Sequence, residues 1–153
     1  MKNLAILMAI VVFLTLLFTQ ESFTQKGIEW KGGGGWGVNG QYWKKYNPKT
    51  VETVIGKVID VDAIIPLKGM SRGIHVIVNS EKEEIAIHAG PAWYIENQET
   101  KIQPNDEIEV TGSRVNFEEK PVIIAAEIKK DGEVLSLRDT KGVPLWSGWK
   151  KYK

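Results

Sequence analysis

The order of its strand-forming stretches constrains this chain more than any single residue does. Val51 to Val61 is rich in β-branched residues and carries Gly56 inside it, which predicts a long first strand that bends or bulges at the glycine. Ala63 to Gly73 contains Pro66, Gly69 and Gly73 and predicts a loop with Lys68, Met70, Ser71 and Arg72 at its tip. Ile74–Val78 and Glu83–Ala89 predict strands two and three, joined by a tight turn over Asn79–Lys82. Gly90-Pro91 stops the third strand, and proline suits the first turn of a helix, so Ala92–Gln98 is predicted as a short helix. Pro104-Asn105-Asp106 turns the chain into strand four, Glu107–Val115, and Pro121 opens strand five, Val122–Lys129. Asp131-Gly132 is a hairpin signal leading into Val134–Leu137. The predicted class is all-β with one short helix, a barrel of five to six strands in the order β-β-β-α-β-β over residues 50–138. A four- or six-stranded sandwich is the alternative.

The 153 residues suffice for one compact domain, and the net charge of +1 gives no strong overall field for capturing nucleic acid or acidic membranes. Cysteine is absent, which excludes disulfides, thiolate nucleophiles and thiolate metal sites. At the N-terminus, Lys2 precedes an apolar run from Leu4 to Phe18, shorter than the ~20 residues a spanning helix needs. Residues 1–25 are therefore expected to be a signal peptide or an uncleaved inner-membrane tether, and the rest to be exported to the periplasm or the extracytoplasmic face of the membrane. Residues 26–49, with Gly32 to Gly35, Gly37 and Gly40, are expected to be a flexible linker, because glycine at that density loses much backbone entropy on ordering.

Five of the six tryptophans lie outside the predicted barrel. Trp36, Trp43, Lys44, Lys45 and Tyr46 precede it, and Trp146, Trp149, Lys150 and Lys151 stand in a C-terminal tail over 139–153. Three roles fit such segments: covering apolar barrel surface, sitting at a membrane interface, or stacking against bases, sugars or a flat cofactor.

Five strands with a helix between the third and fourth is the layout of the OB-fold, whose ligands cross strands two and three between the loop after strand one and the loop joining strands four and five. Here those loops are Ala63–Gly73 and Asn116–Lys120. Through this order, Thr53 to Val58 in strand one and Asn105 to Gly112 in strand four, the chain resembles small exported bacterial OB-fold proteins, an uncharacterised periplasmic family of which some are labelled DNA-binding. The resemblance implies architecture more than activity. A membrane-proximal barrel is also similar in plan to the periplasmic haem chaperones, which use a His-x-x-x-Tyr tail. This tail has Tyr152 but no histidine, so the carrier residue is missing.

The two histidines form the sharpest constellation. Ile74, Val76 and Val78 share one face of strand two, and Ile85 and Ile87 share one face of strand three, which leaves His75 and His88 together on the other face. Pairing numbers in an antiparallel hairpin add to a constant, and the apolar rows coincide for sums of 161 or 163; the second sets His75 directly against His88. A two-histidine metal site follows as one reading, with Glu84, Met70 or Asp62 as third ligand and zinc or copper as the ion. Hydrogen bonding on a half-exposed sheet face, or direct ligand contact, are the others. Arg114, in strand four, and Arg138 are forks able to hold phosphate or carboxylate, and a surface salt bridge is the plainer reading of both.

No nucleophile elbow or phosphate-cradling loop surrounds Ser71, Ser113 or Ser136, and Asp60 and Asp62 read as a solvated strand face. The expectation is a non-enzymatic binding module without a resident cofactor. Its ligand is expected to be an envelope protein or a small anionic or glycan molecule on the face bearing His75 and His88, with Lys68, Met70, Arg72 and Arg114 around it. Single-stranded nucleic acid is the second expectation, disfavoured by export and neutral charge, and zinc or copper handling the third.

Overall fold

A computed structural model of the chain describes residues 32–148. The apolar segment at 1–25, Trp30, Trp149, Lys150, Lys151 and Tyr152 lie outside the described residues. Among the described residues no helix is long and apolar enough to cross a membrane.

Six strands form one sheet: β1 (Val51–Ile64), β2 (Gly73–Ser80), β3 (Glu84–Pro91), β4 (Glu107–Phe117), β5 (Lys120–Lys130) and β6 (Glu133–Ser136), with a one-turn helix α1 (Ala92–Ile95) between β3 and β4. The strand order is β3-β2-β1-β4-β5-β6, and a short parallel pairing of β3 with β5 at Ala86–His88 brings the ends of the sheet together. The result is a near-closed barrel of the class expected from the strand order. Val54, Val58, Val76, Val78, Ile85, Ile87, Ile108, Val110 and Ile128 are buried and fill it. These positions alternate along each strand because successive side chains point to opposite faces of the pleat.

Three details differ from expectation. The helix expected over Ala92–Gln98 ends at Ile95. The bulge in β1 falls at Ile59, between Val58 and Asp60, not at Gly56. Gly56 is instead a point of close approach, since a Cβ there would overlap the Asn79 carbonyl oxygen and the Val78 side chain. The β4–β5 connection, expected as a five-residue loop, is a two-residue turn: Phe117 pairs with Lys120, and Glu118 and Glu119 both have positive φ.

The glycine-rich segment read as a flexible linker is packed on the barrel. Gly33, Gly34 and Gly35 all have positive φ, a backbone path open to glycine, and they turn the chain so that Trp36 inserts at 1% exposure. The Trp36 ring lies on Gly73, where any Cβ would overlap it, and its Nε1 donates to the Ser71 carbonyl at 3.0 Å. Tyr42 and Tyr46 are buried behind it. After β6 the chain returns through an Arg138–Pro144 bridge and buries Trp146, whose Nε1 donates to the Trp36 carbonyl at 2.9 Å. Together the segments before β1 and after β6 form one aromatic cover, in which Trp36 and Trp146 meet edge to face.

Candidate functional site

The site begins with a register. In the β2–β3 hairpin His75 stands opposite His88, Val76 opposite Ile87 and Asn79 opposite Glu84. Because Val76, Val78, Ile85 and Ile87 point into the core, both histidines must project from the outer face. On the other side of β2, Asp62 of β1 stands opposite His75. One row across three adjacent strands therefore reads Asp62, His75, His88. The two imidazoles have ring centres 5.8 Å apart and meet edge to face at 73°.

The aromatic cover closes over one end of this row. Tyr42 stacks on His88 at 6.1 Å with its hydroxyl 3.2 Å from Nδ1, and Phe117 from the end of β4 packs at 4.9 Å from the same ring. His88 is 2% exposed as a result, although it sits on the outer side of the sheet. Burial, reinforced by the neighbouring charges of His75 and Arg138, pushes its pKa down to about 4. His75 is half-buried, and desolvation lowers its pKa despite the opposing pull of Asp62 and Asp60. Both rings are thus neutral near pH 7. Burial likewise raises the Tyr42 hydroxyl well above its ordinary value, so it stays protonated beside His88.

An open groove of about 550 Å³ runs along this face. Its floor is His75, Ile77, Ala86 and His88, one wall is Ile64, Ile65 and Pro66, and the other is Phe117, Pro121 and Val122. Glu84, Glu118 and Lys120 mark its polar edge. The walls come from the loop after β1 and from the β4–β5 hairpin, the two connections singled out from the strand order.

Of the site residues proposed from sequence, the structure brings only His75, His88 and Glu84 to this groove. Arg72 is paired with Glu96 at 2.6 Å beside α1. Arg114 is held by Glu52 at 2.6 Å and by Glu83, hydrogen bonds that raise its pKa further and occupy its fork. It lines a separate pocket with Glu52, Ser80 and Glu83 and is not a residue of this groove. Lys68 is exposed on the loop, and Met70 packs beside Gly35 against the core. Glu84 lies four residues from His88 along β3, roughly 13 Å at the rise of a strand, too far to share an ion with it. Among the described residues no three His, Asp or Glu side chains are grouped to hold a metal, so neither Glu84 nor Asp62 joins the two histidines as a third ligand.

The aromatic residues of the flanking segments also fall differently from a stacking platform. Trp36, Tyr46 and Trp146 are buried, and Trp43 donates its Nε1 to the Gly142 carbonyl at 3.1 Å. Lys44 is exposed, and Lys45 lies over the Phe117 ring at 5.0 Å. Arg138 is buried with its guanidinium on the Trp146 ring at 4.8 Å and bonded to the Ala125 carbonyl. It is a structural cation within the cover.

Sequence reasoning missed Tyr42 and Phe117 as partners of His88 and Ile65 as a groove wall. The alternation that places His88 was legible; the chain that returns to cover it carries no period.

Residues 50–135, more than half of the chain and all of the ring-forming strands, match the model of the MamS/MamX magnetosome protein family. Among curated proteins none matches the chain.

Proposed function

Since the chain belongs to the MamS/MamX magnetosome protein family, we propose that it is a magnetosome-associated, non-catalytic binding module. It works on the extracytoplasmic side through an OB-like barrel, and its groove receives an extended, apolar segment of another envelope protein. The observation that carries this reading is the character of the groove. Its walls are aliphatic and aromatic, Ile65 is 63% exposed at its rim, and its floor histidines are uncharged. Apolar groups left open to water beside a few fixed polar atoms are what a binding groove offers.

A small anionic ligand fits less well. Arg72 and Arg114 are engaged by Glu96, Glu52 and Glu83, and the groove edge carries two glutamates against one lysine. Single-stranded nucleic acid fits less well again, because the Trp36 and Trp146 rings that would stack on bases are buried. The position of the groove between the loop after β1 and the β4–β5 hairpin agrees with OB-type recognition, an argument from fold analogy.

The test is a photo-cross-linking residue placed at Ile65, with the same residue at Val134 on the far strand as control, in magnetosome-forming cells producing the full chain. A discrete protein adduct at position 65 and none at 134 is expected. Equal adducts at both positions, or none at 65, would refute the groove as the binding surface.

A further inference from the structure

We propose that His75 and His88 together bind a first-row transition-metal ion of the zinc or copper type at the floor of the groove. The inference deepens the groove reading, resting on the groove as a binding surface but not on the identity of its protein occupant.

Geometry is the first support. With metal–nitrogen bonds of about 2.0–2.1 Å and ring nitrogens about 1.1 Å from their ring centres, two imidazoles on one ion have centres roughly 5.2 Å apart at a tetrahedral angle and 6.3 Å apart when opposed. The observed 5.8 Å lies between these limits. The separation is fixed by the strand register, because the two residues are direct cross-strand partners. The register therefore holds the two rings at a separation that one ion can span.

The surroundings of each ring give the second support. Metal-binding histidines usually give their second ring N–H to an oxygen, which fixes the ring and strengthens the first nitrogen as a donor. The Tyr42 hydroxyl, 3.2 Å from His88 Nδ1, can serve as that oxygen, because a hydroxyl accepts as readily as it donates. Nε2 is then the free donor. Across β2, Asp62 brings negative charge opposite His75. One of its oxygens accepts from the Ala63 backbone N–H at 2.7 Å, and its charge offsets that of a cation. Arg138 acts on His88 in the opposite sense from inside the cover. The ion would complete its shell with water from the open side of the groove, which is the arrangement of a labile site. Imidazole donors suit zinc and copper, and no thiolate or carboxylate cage is present among the described residues to favour another ion.

The full chain, carrying no polyhistidine tag, is titrated with zinc and with copper(II) by calorimetry, and the zinc titration is followed through the imidazole signals by NMR. One ion per chain, with both imidazoles shifting together, is expected. His75→Ala should weaken binding at least tenfold, and Glu107→Gln, exposed outside the groove, should leave it unchanged. His75 carries the test because it is half-buried on the open side, whereas truncating His88 would empty the space beneath Tyr42 and Phe117. Should His75→Ala fail to fold, the ring signals of the natural chain decide alone. No stoichiometric binding, binding that leaves both rings unmoved, or an affinity in His75→Ala within twofold of the natural chain would overturn the site. The Ile65 adduct separates the two claims: an adduct without metal binding overturns only the metal, and metal binding without an adduct overturns only the protein occupant.

Discussion

Acidifying the protein from pH 7 to pH 5 should destabilise it through His88, and the size follows from the burial of one ring. His88 is covered by Tyr42 and Phe117, and its pKa lies near 4 against an ordinary 6.5. In this window the unfolded chain takes up the proton and the folded chain does not. Stability is therefore full above about pH 7, falls as pH drops through 6.5, and levels once the folded state is protonated near 4. One group whose two pKa values are separated in this way changes the stability by about 2 kcal/mol between pH 7 and pH 5, and by about 3 kcal/mol in all. His75 is shifted in the same direction and adds to the fall. Urea unfolding at half-unit pH steps reads the effect directly, as a loss of midpoint on the order of 1 M by pH 5. His88→Gln keeps a hydrogen-bonding partner for Tyr42 but cannot titrate, so it should lose at least half of the slope. A midpoint constant from pH 7 to pH 5, or a variant that falls as steeply as the natural chain, would refute the claim that the segment before β1 seals His88 from water.

Two further outcomes test the cover itself. Trp146 is fully buried, lies on Gly90, and bonds to the Trp36 carbonyl, so Trp146→Ala should cost about 3–5 kcal/mol in urea unfolding; a loss below about 1 kcal/mol would mean that the segment after β6 is not part of the folded unit. Among the described residues the buried Ser71 hydroxyl has no hydrogen-bond partner, so Ser71→Ala should be neutral or stabilising by up to about 1 kcal/mol, and a clear loss in the same assay would reveal a partner for that oxygen.

What could be read from the sequence was whatever repeats with the period of a pleat. Alternation of Ile74, Val76, Val78, Ile85 and Ile87 restricted the hairpin to two registers, and the one that sets His75 against His88 is adopted. Gly90-Pro91 marked the start of the helix, and Asp131-Gly132 marked a turn in which both residues have positive φ. What escaped were contacts between distant segments. Glu118-Glu119 makes a positive-φ turn without glycine or asparagine, so nothing in its residue types marked a two-residue hairpin. A salt bridge was the plainer reading of Arg114, but its partners could not be named, because Glu52 and Glu83 lie 62 and 31 residues away in the chain. The glycines before Trp36 looked like slack chain, since composition does not show that they lead a tryptophan onto Gly73. The histidines were legible as a pair, whereas their burial was not, because it depends on Tyr42 and Phe117 arriving from opposite ends of the fold.

The most direct test of the central claim is to map the Ile65 photo-adduct to the peptide level by mass spectrometry, in cells producing the full chain. The account predicts a single extended, apolar segment of an extracytoplasmic protein cross-linked at residue 65, with the Val134 control blank. Adducts spread over many unrelated proteins, an adduct to nucleic acid, or equal labelling at Val134 would contradict it.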